Sequence, residues 1–251
     1  MIKAILVGCC GKMGGNITNC ANNDGQIKIA AGVDKINTGK DYPVFSDFKD
    51  INVDADVIID FSHISLLDGI LNYAKQKNMP VVLATTGYSG EQIEKIKEFS
   101  KFIPIFFTFN MSIGVNLLCS LAQKASKILG GDFDIEIIEK HHNQKIDAPS
   151  GTAIMLANAI NKEFGDSLNY EYDRHSKRNK RPKNEIGIHS VRGGTIVGEH
   201  DVIFAGRDEV ITLSHQALSK EVFAVGALRA AKFLVNKPSG LYDMNNIMDF
   251  G

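Results

Sequence analysis

The 251-residue sequence has no tryptophan, only six prolines and four cysteines, and its charges nearly cancel. Lys and Arg number 28 against 29 Asp and Glu, a formal net charge of -1. No global field therefore draws the chain to nucleic acid or to an anionic membrane. No apolar run approaches the roughly 20 residues of a membrane span. The opening MIKAILVG is too short, and too soon broken by glycine, for a secretory signal; it reads as a buried strand starting at residue 2. Cys9, Cys10, Cys20 and Cys119 form no CxxC pair. That spacing supplies neither a disulfide framework nor a zinc pattern, so reduced cytoplasmic thiols filling small spaces are expected, and no metal. What is there is the composition of a globular chain, 44% hydrophobic and 23% charged. Its length allows one large domain or two modest ones.

The first hundred residues alternate strand and helix signals. Apolar runs predict buried strands at 2–7, 27–33, 56–61, 80–84 and 103–107, with helices near 12–22, 64–77 and 90–100. This βαβ rhythm predicts a Rossmann-type α/β domain with a parallel sheet. The texture changes after about residue 112. A long helix is expected over 114–128, an alternating strand over 134–139 and a helix over 151–164. Strand patterns return at 186–192, 195–197, 199–205 and 208–215, so this part reads as α+β with a mostly antiparallel sheet. An alanine-rich helix over 223–234 is expected to return to the first domain. The expected division is 1–112 with 222–251 for a dinucleotide-binding domain, and 113–221 for a substrate-binding and oligomerisation domain.

The first strand runs into Gly8-Cys9-Cys10-Gly11-Lys12-Met13-Gly14 and then a helix. In this GxxGxxG pattern one glycine permits the tight turn, a second lets a pyrophosphate approach the backbone, and a third lets helix and strand pack closely. The helix N-terminus offers N–H donors and a positive dipole end to phosphates. An acidic residue to bond the ribose is expected about 20 residues on. Asp34 stands there, and its carboxylate favours NADH; Lys35 beside it suits the 2′-phosphate of NADPH. Use of either nucleotide is expected. Asp60-Phe61-Ser62-His63 and Ala84-Thr85-Thr86-Gly87 end two further strands and are expected at the same crevice.

The densest chemistry lies in Glu139 to Ala153, EKHHNQKIDAPSGTA. Ser150 is a candidate helix cap, and Gly151 and Thr152 then sit in the first turn, a carboxylate-binding position. Lys145 adds a cationic donor and a neighbouring histidine a proton carrier near neutral pH. A metal at His141-His142 is disfavoured, because adjacent residues of an extended segment point oppositely. The run 174–183 holds six Lys and Arg but no aromatic for base stacking. A solvated loop, or one attracting an anionic substrate or cofactor, is expected rather than a nucleic-acid patch.

The stretch Glu139–Ala153 closely resembles the signature E-x-H-H-x-x-K-x-D-A-P-S-G-T-A of the 4-hydroxy-tetrahydrodipicolinate reductases, also called dihydrodipicolinate reductases. Gly8–Gly14, Asp60-Phe61-Ser62, Ala84–Gly87, Asn110–Val115, Glu185–Gly187, Arg192–Gly194, Gly198–His200 and Gly240–Met244 are similar to further family motifs, in order along nearly the whole chain. The resemblance implies NADH- or NADPH-dependent reduction of a small cyclic dicarboxylate in lysine/diaminopimelate synthesis, with loss of water, by a cytoplasmic homotetramer. It implies His141 as proton donor and acceptor, Lys145 as second acid and carboxylate contact, and His142, Gly151 and Thr152 as substrate contacts. It places Gly8, Cys9, Cys10, Gly11, Lys12, Met13, Asp34, Lys35, Ala84, Thr85, Thr86, Thr108, Phe109, Asn110 and Met111 at the dinucleotide. Departures from the family pattern are Ala84 for a glycine, His63 where many members carry Arg or Lys, and the Cys9-Cys10 pair. Segments near 110–114 and 216–223 are the expected hinges between the domains. A nucleotide-binding sensor without turnover and a dehydrogenase of another small diacid remain as alternatives.

Overall fold

The computed structural model describes residues 1–248. The chain forms two compact units, Met1–Ile113 with the chain from Lys220 onward, and Gly114–Ser219.

The first unit opens with β1 (Ile2–Val7), α1 (Lys12–Asp24), β2 (Ile27–Val33), β3 (Val44–Phe45), β4 (Val57–Asp60), α2 (Leu67–Lys77), β5 (Val81–Leu83), α3 (Gly90–Ser100) and β6 (Pro104–Phe107). The second contains α4 (Ile113–Leu129), β7 (Asp134–His141), α5 (Gly151–Glu163), β8 (Asn169–Glu171), β9 (Glu185–Arg192), β10 (Gly198–Ala205) and β11 (Val210–Ala217). The chain then returns to the first unit with α6 (Glu221–Leu234), β12 (Gly240–Tyr242) and α7 (Met244–Ile247).

The first unit's strands run β12-β6-β5-β4-β1-β2-β3, and every pairing is parallel. A parallel sheet is covered on both faces, so its strands must be apolar on both. β1 meets this requirement: Ala4 and Leu6 enter one core with Ile17 of α1 and Ala227 and Leu228 of α6, while Ile5 and Val7 enter the other with Ile70 of α2 and Ile96 of α3. The alanines of α6 let that helix lie close to the sheet. Helix ends follow local chemistry. Ser89 and Gln92 form a reciprocal capping box that starts α3, and Gly25 ends α1 at φ 73°.

In the second unit the strands run β11-β10-β7-β9-β8. The β10–β11 and β10–β7 pairings are antiparallel over eight and seven residue pairs; β7–β9 and β8–β9 are parallel over seven and three. The sheet is thus mixed, with antiparallel pairing predominant. Leu118 and Ala122 of α4 and Leu156, Ala157 and Ile160 of α5 bury one face against Ile135, Ile137, Ile186, Ile188, Val202 and Phe204.

Several boundaries differ from expectation. The stretch 195–197 is a turn rather than a strand, because Gly193 and Gly194 reverse the chain before β10. The α-helix expected from 64 begins at Leu67; a 3-10 turn (Ile64–Leu66), capped by the His63 ring, precedes it. β7 runs two residues past 139, which makes His141 its last residue. The strands β3, β8 and β12 are two or three residues long, too short to show a period.

Candidate active site

The expected dinucleotide residues lie at the carboxyl ends of the first unit's strands. Gly8 follows β1 at φ +80°, a conformation that glycine adopts without steric cost. A Cβ there would lie 2.4 Å from the Phe61 carbonyl oxygen. A Cβ on Gly14 would lie 2.4 Å from the Gly8 oxygen, so α1 packs onto the turn through bare backbone. Gly11 is the N-cap of α1 and brings no side-chain hydrogen bond; no acidic residue occupies the first turn, which holds Lys12 and Met13. First-turn amides lack intrahelical partners, so this cradle fits a pyrophosphate. Asp34 directly follows β2, and its Oδ2 accepts from the Cys10 amide at 2.9 Å. Lys35 is exposed beside it.

The ends of β4 and β5 meet as expected. Asp60 is fully buried. It accepts from Ser62 Oγ at 2.5 Å and from Tyr88 Oη at 3.2 Å, and Ser62 N donates to Thr85 Oγ1 at 3.0 Å. Burial, the strongest influence, raises the Asp60 pKa against these donors. Asp60 therefore acts as an internal strut for the Ser62 and Thr85 loops, while Ala84 is half-buried and Thr86 exposed. Beyond β6, Thr108 and Asn110 build their own turn, with Ser112 N donating to Asn110 Oδ1 at 2.8 Å. Phe109 is 68% exposed, with its ring edge-on to Phe107 at 5.3 Å. Cys9 and Met111 have side chains buried in the first unit's core, 0% and 3% exposed, so only their backbone can face a nucleotide. Burial, then Cys10, pushes the Cys9 thiol up to about 12.

The second site is built on β7. Its alternation turns Glu139 and His141 inward with Ile135 and Ile137. His141 Nδ1 meets Glu139 Oε2 at 2.5 Å. Arg192, at the end of the neighbouring β9, grips the same carboxylate with both terminal nitrogens, at 2.8 and 2.7 Å. The Ser150 amide donates to the remaining face of Oε1 at 3.1 Å. Burial alone would raise the Glu139 pKa; Arg192, Ser190, His141 and the Ser150 amide outweigh it and hold it near about 2. Glu139 is thus a buried carboxylate, fully ionised and fully paired.

For His141, burial is the largest influence and lowers its pKa; Glu139 opposes this, and Lys145 and Arg192 assist it. A neutral ring whose Nδ1–H donates to Glu139 leaves Nε2 as the reactive nitrogen. Space for that nitrogen comes from Gly198 on β10, where a Cβ would sit 3.1 Å from Nε2. The loop after β7 is tied down by Gly193 N to the His141 oxygen at 2.9 Å, Asn143 N to the Gly194 oxygen at 3.2 Å, and Arg192 to the Asp147 oxygen at 2.7 Å. It carries half-buried His142 and Lys145, whose Nζ pairs with Asp147 at 2.8 Å. Ser150 caps α5 by accepting from Ala153 N, so exposed Gly151 and half-buried Thr152 open the first turn beside this loop. The second unit therefore gathers His141, His142, Lys145, Gly151 and Thr152 along one continuous stretch. Glu139 and Arg192 are the residues that sequence reasoning did not single out. The signal was present: Glu139 lies two positions before His141 on a strand, hence on the same face.

His200 is also part of this cluster. Its Nε2 lies 3.1 Å from Ser150 Oγ, and its ring packs edge-on to His141 at 5.2 Å. Burial first, then the neighbouring His141, pushes the His200 pKa down to about 4. A histidine ordinarily titrates near 6.5, so between those values the unfolded chain binds a proton that the folded one does not. The stability that neutral His200 contributes is present above about pH 6.5 and lost as pH falls toward 4, on the order of 3 kcal/mol. Thermal melts from pH 7 to 4 should show this slope, and His200→Gln should flatten it. An unchanged slope in the variant would refute the assignment.

The basic run 174–183 is absorbed by the outer face of the same sheet. Arg174 and Arg181 bind Glu136 at 2.8 and 3.0 Å, Arg181 also binds Asp134, and Lys177 pairs with Glu171. Three of the six cations thus pair with carboxylates of the sheet.

Residues 2–111 match the family model for the dihydrodipicolinate reductase N-terminus, and residues 114–248 the model for its C-terminus. The chain is 52% identical over 251 residues, all of both chains, to the 4-hydroxy-tetrahydrodipicolinate reductase of Caldanaerobacter subterraneus subsp. tengcongensis. It is 53% identical over 250 residues to that of Clostridium tetani, covering 99% of this chain and 98% of the relative. The structure is similar to dipicolinate-bound dihydrodipicolinate reductase from Paenisporosarcina sp. TG-14, with a TM-score of 0.82, 26% identity, and coverage of 98% and 99% of the two chains. The two matching models together cover the chain almost end to end, and the second spans the stretch that builds the Glu139–His141 pair: the chain belongs to the dihydrodipicolinate reductase family.

Proposed function

We propose that this chain uses NADH or NADPH to reduce 4-hydroxy-tetrahydrodipicolinate, with loss of water, in lysine/diaminopimelate synthesis. The observation that carries the proposal is the Glu139–His141 pair at 2.5 Å, set beside Lys145 and the first turn of α5. That stretch offers a proton carrier and a carboxylate holder within a dozen residues.

The nicotinamide, when bound, supplies a hydride to a carbon conjugated with the substrate's ring imine. The protein's own contribution is orientation, charge compensation and a proton. Lys145 and the backbone amides of Gly151 and Thr152 hold a substrate carboxylate, with the Thr152 hydroxyl as a further contact. His142 contacts the substrate from the same loop. Glu139 fixes the His141 ring, so Nε2 delivers the proton that quenches charge on the reduced product. His141 is held neutral in the free protein, so it must first take up a proton. The negative charge of the arriving diacid favours that uptake.

In the first unit, the backbone from Gly8 to Met13 cradles the pyrophosphate and Asp34 bonds the ribose. Lys35 accommodates a 2′-phosphate, which supports use of both nucleotides. Ala84 to Thr86 and Thr108 to Met111 line the remaining nucleotide site. The working form is read as a cytoplasmic homotetramer assembled through the second unit, a reading in keeping with its four unpaired cysteines and with the exposed Val210 and Ile211 on edge strand β11.

Calorimetric titration with dipicolinate, the planar diacid named with the Paenisporosarcina relative, tests the substrate half of this reading. Saturable binding is expected, weakened about 10- to 100-fold in Lys145→Ala, the loss that follows removal of a charge-assisted hydrogen bond. Equal affinity in the two proteins would overturn the assignment of Lys145.

A further inference from the structure

The adjacent thiols in the glycine-rich turn have no part in the chemistry above, yet they converge with a carboxylate. Cys9 Sγ and Cys10 Sγ lie 3.8 Å apart. Two thiolates bound to one tetrahedral zinc ion at about 2.3 Å are separated by roughly the same distance, about 3.8 Å. Together with an Asp34 oxygen, the three donor atoms lie within 4.8 Å of one another. The convergence is built by the backbone. Cys10 N donates to Asp34 Oδ2 at 2.9 Å and so anchors the carboxylate over the turn. Gly32, on β2, makes room for the other thiol, since a Cβ there would lie 2.4 Å from Cys9 Sγ. Cys9 is buried, while Cys10 and Asp34 are half-exposed, so an ion can enter from the solvent side.

We propose that Cys9, Cys10 and Asp34 form a binding site for a soft divalent metal ion of the zinc and cadmium class, and that its occupancy excludes the nucleotide ribose from Asp34. The second half rests on the assignment of Asp34 to the ribose. Two sulfur–metal bonds form as two thiol protons leave to solvent, and no electron is transferred. The carboxylate supplies the third ligand, and a water completes the tetrahedron. Thiolates select such ions over magnesium or calcium. Cys20 and Cys119 take no part.

The test uses the full-length reduced protein, stripped of metal by chelator, and Cd2+ as probe. Without nucleotide, titration should produce a saturable thiolate-to-metal charge-transfer absorption at one ion per chain. The band should persist in the Cys20→Ser/Cys119→Ser variant, be lost in Cys10→Ser, and require more Cd2+ in Asp34→Asn. Circular dichroism of each variant separates loss of the site from loss of the fold. With Cd2+ saturating, NADH should bind about tenfold more weakly, and NADH should weaken Cd2+ by the same factor. No saturable band in the wild type, or a band that survives in Cys10→Ser, overturns the site. A Cd2+-loaded protein that binds NADH as tightly as the stripped one overturns the exclusion. NADH failing to bind the stripped protein would instead overturn the cofactor assignment, because the absorption band reports the ion alone.

Discussion

Replacing His141 by glutamine is expected to lower turnover by about 10²- to 10⁴-fold, the usual contribution of a positioned proton carrier. NADH affinity should stay unchanged, because the glycine turn and Asp34 lie in the other unit of the chain. Three features make His141 the group that matters. It ends β7 and is 9% exposed, so its ring is held rather than solvated. Its Nδ1 is engaged by Glu139, so a single nitrogen is left for chemistry. Gly198 leaves that nitrogen room that any side chain would take. Glutamine preserves most of the volume and loses the proton exchange. Stopped-flow turnover with parallel fluorescence titration of NADH separates the two effects. A variant with wild-type kcat would remove His141 from the mechanism.

The second large effect is expected at Glu139. Glu139→Ala should cost about 3–5 kcal/mol of stability, because it leaves the Arg192 guanidinium without its carboxylate in a largely buried position. Glu139 itself is fully buried, and its two oxygens together accept from Arg192, His141 and the Ser150 amide. Its removal therefore unties β7, β9 and the cap of α5 at once. The conservative Glu139→Gln tests the positioning role. It retains shape but offers one acceptor oxygen, so the protein should fold while His141 loses its preferred tautomer. Chemical denaturation gives the first quantity, and the pH profile of kcat the second. A Glu139→Gln enzyme with an unaltered pH profile would reduce Glu139 to a structural ion pair.

Much of this architecture was legible in the sequence, for identifiable reasons. The parallel sheet announced itself because strands buried on both faces must be continuous apolar runs, as in Ile2–Val7. The limits of α3 fell where expected because Ser89 and Gln92 form a local cap, and a local cap is written in adjacent residues. The strand 195–197 failed because its alternation was broken by a glycine turn whose geometry depends on β9 and β10 pairing with β7. The run 174–183 was legible as basic, but the ion pairs of Arg174, Lys177 and Arg181 were not. Its partners Asp134, Glu136 and Glu171 are scattered along the chain, and only the sheet brings them together. At the site, His141 and Lys145 stood out by type and spacing. Arg192 did not, because it lies 53 residues from Glu139 and reaches it only through the parallel β7–β9 register. For Cys9 and Met111, membership of a motif did not say which way the side chain points, and both side chains lie in the core.

Catalytic reduction of a specific diacid is read out by turnover itself. The substrate is generated in situ from pyruvate and aspartate semialdehyde by the synthase that precedes the reductase, and loss of reduced-nicotinamide absorbance is followed with NADH and with NADPH. Both nucleotides should be oxidised in a reaction that requires the synthase and both of its substrates, and that disappears with His141→Gln. Nucleotide binding without any synthase-dependent oxidation would contradict this.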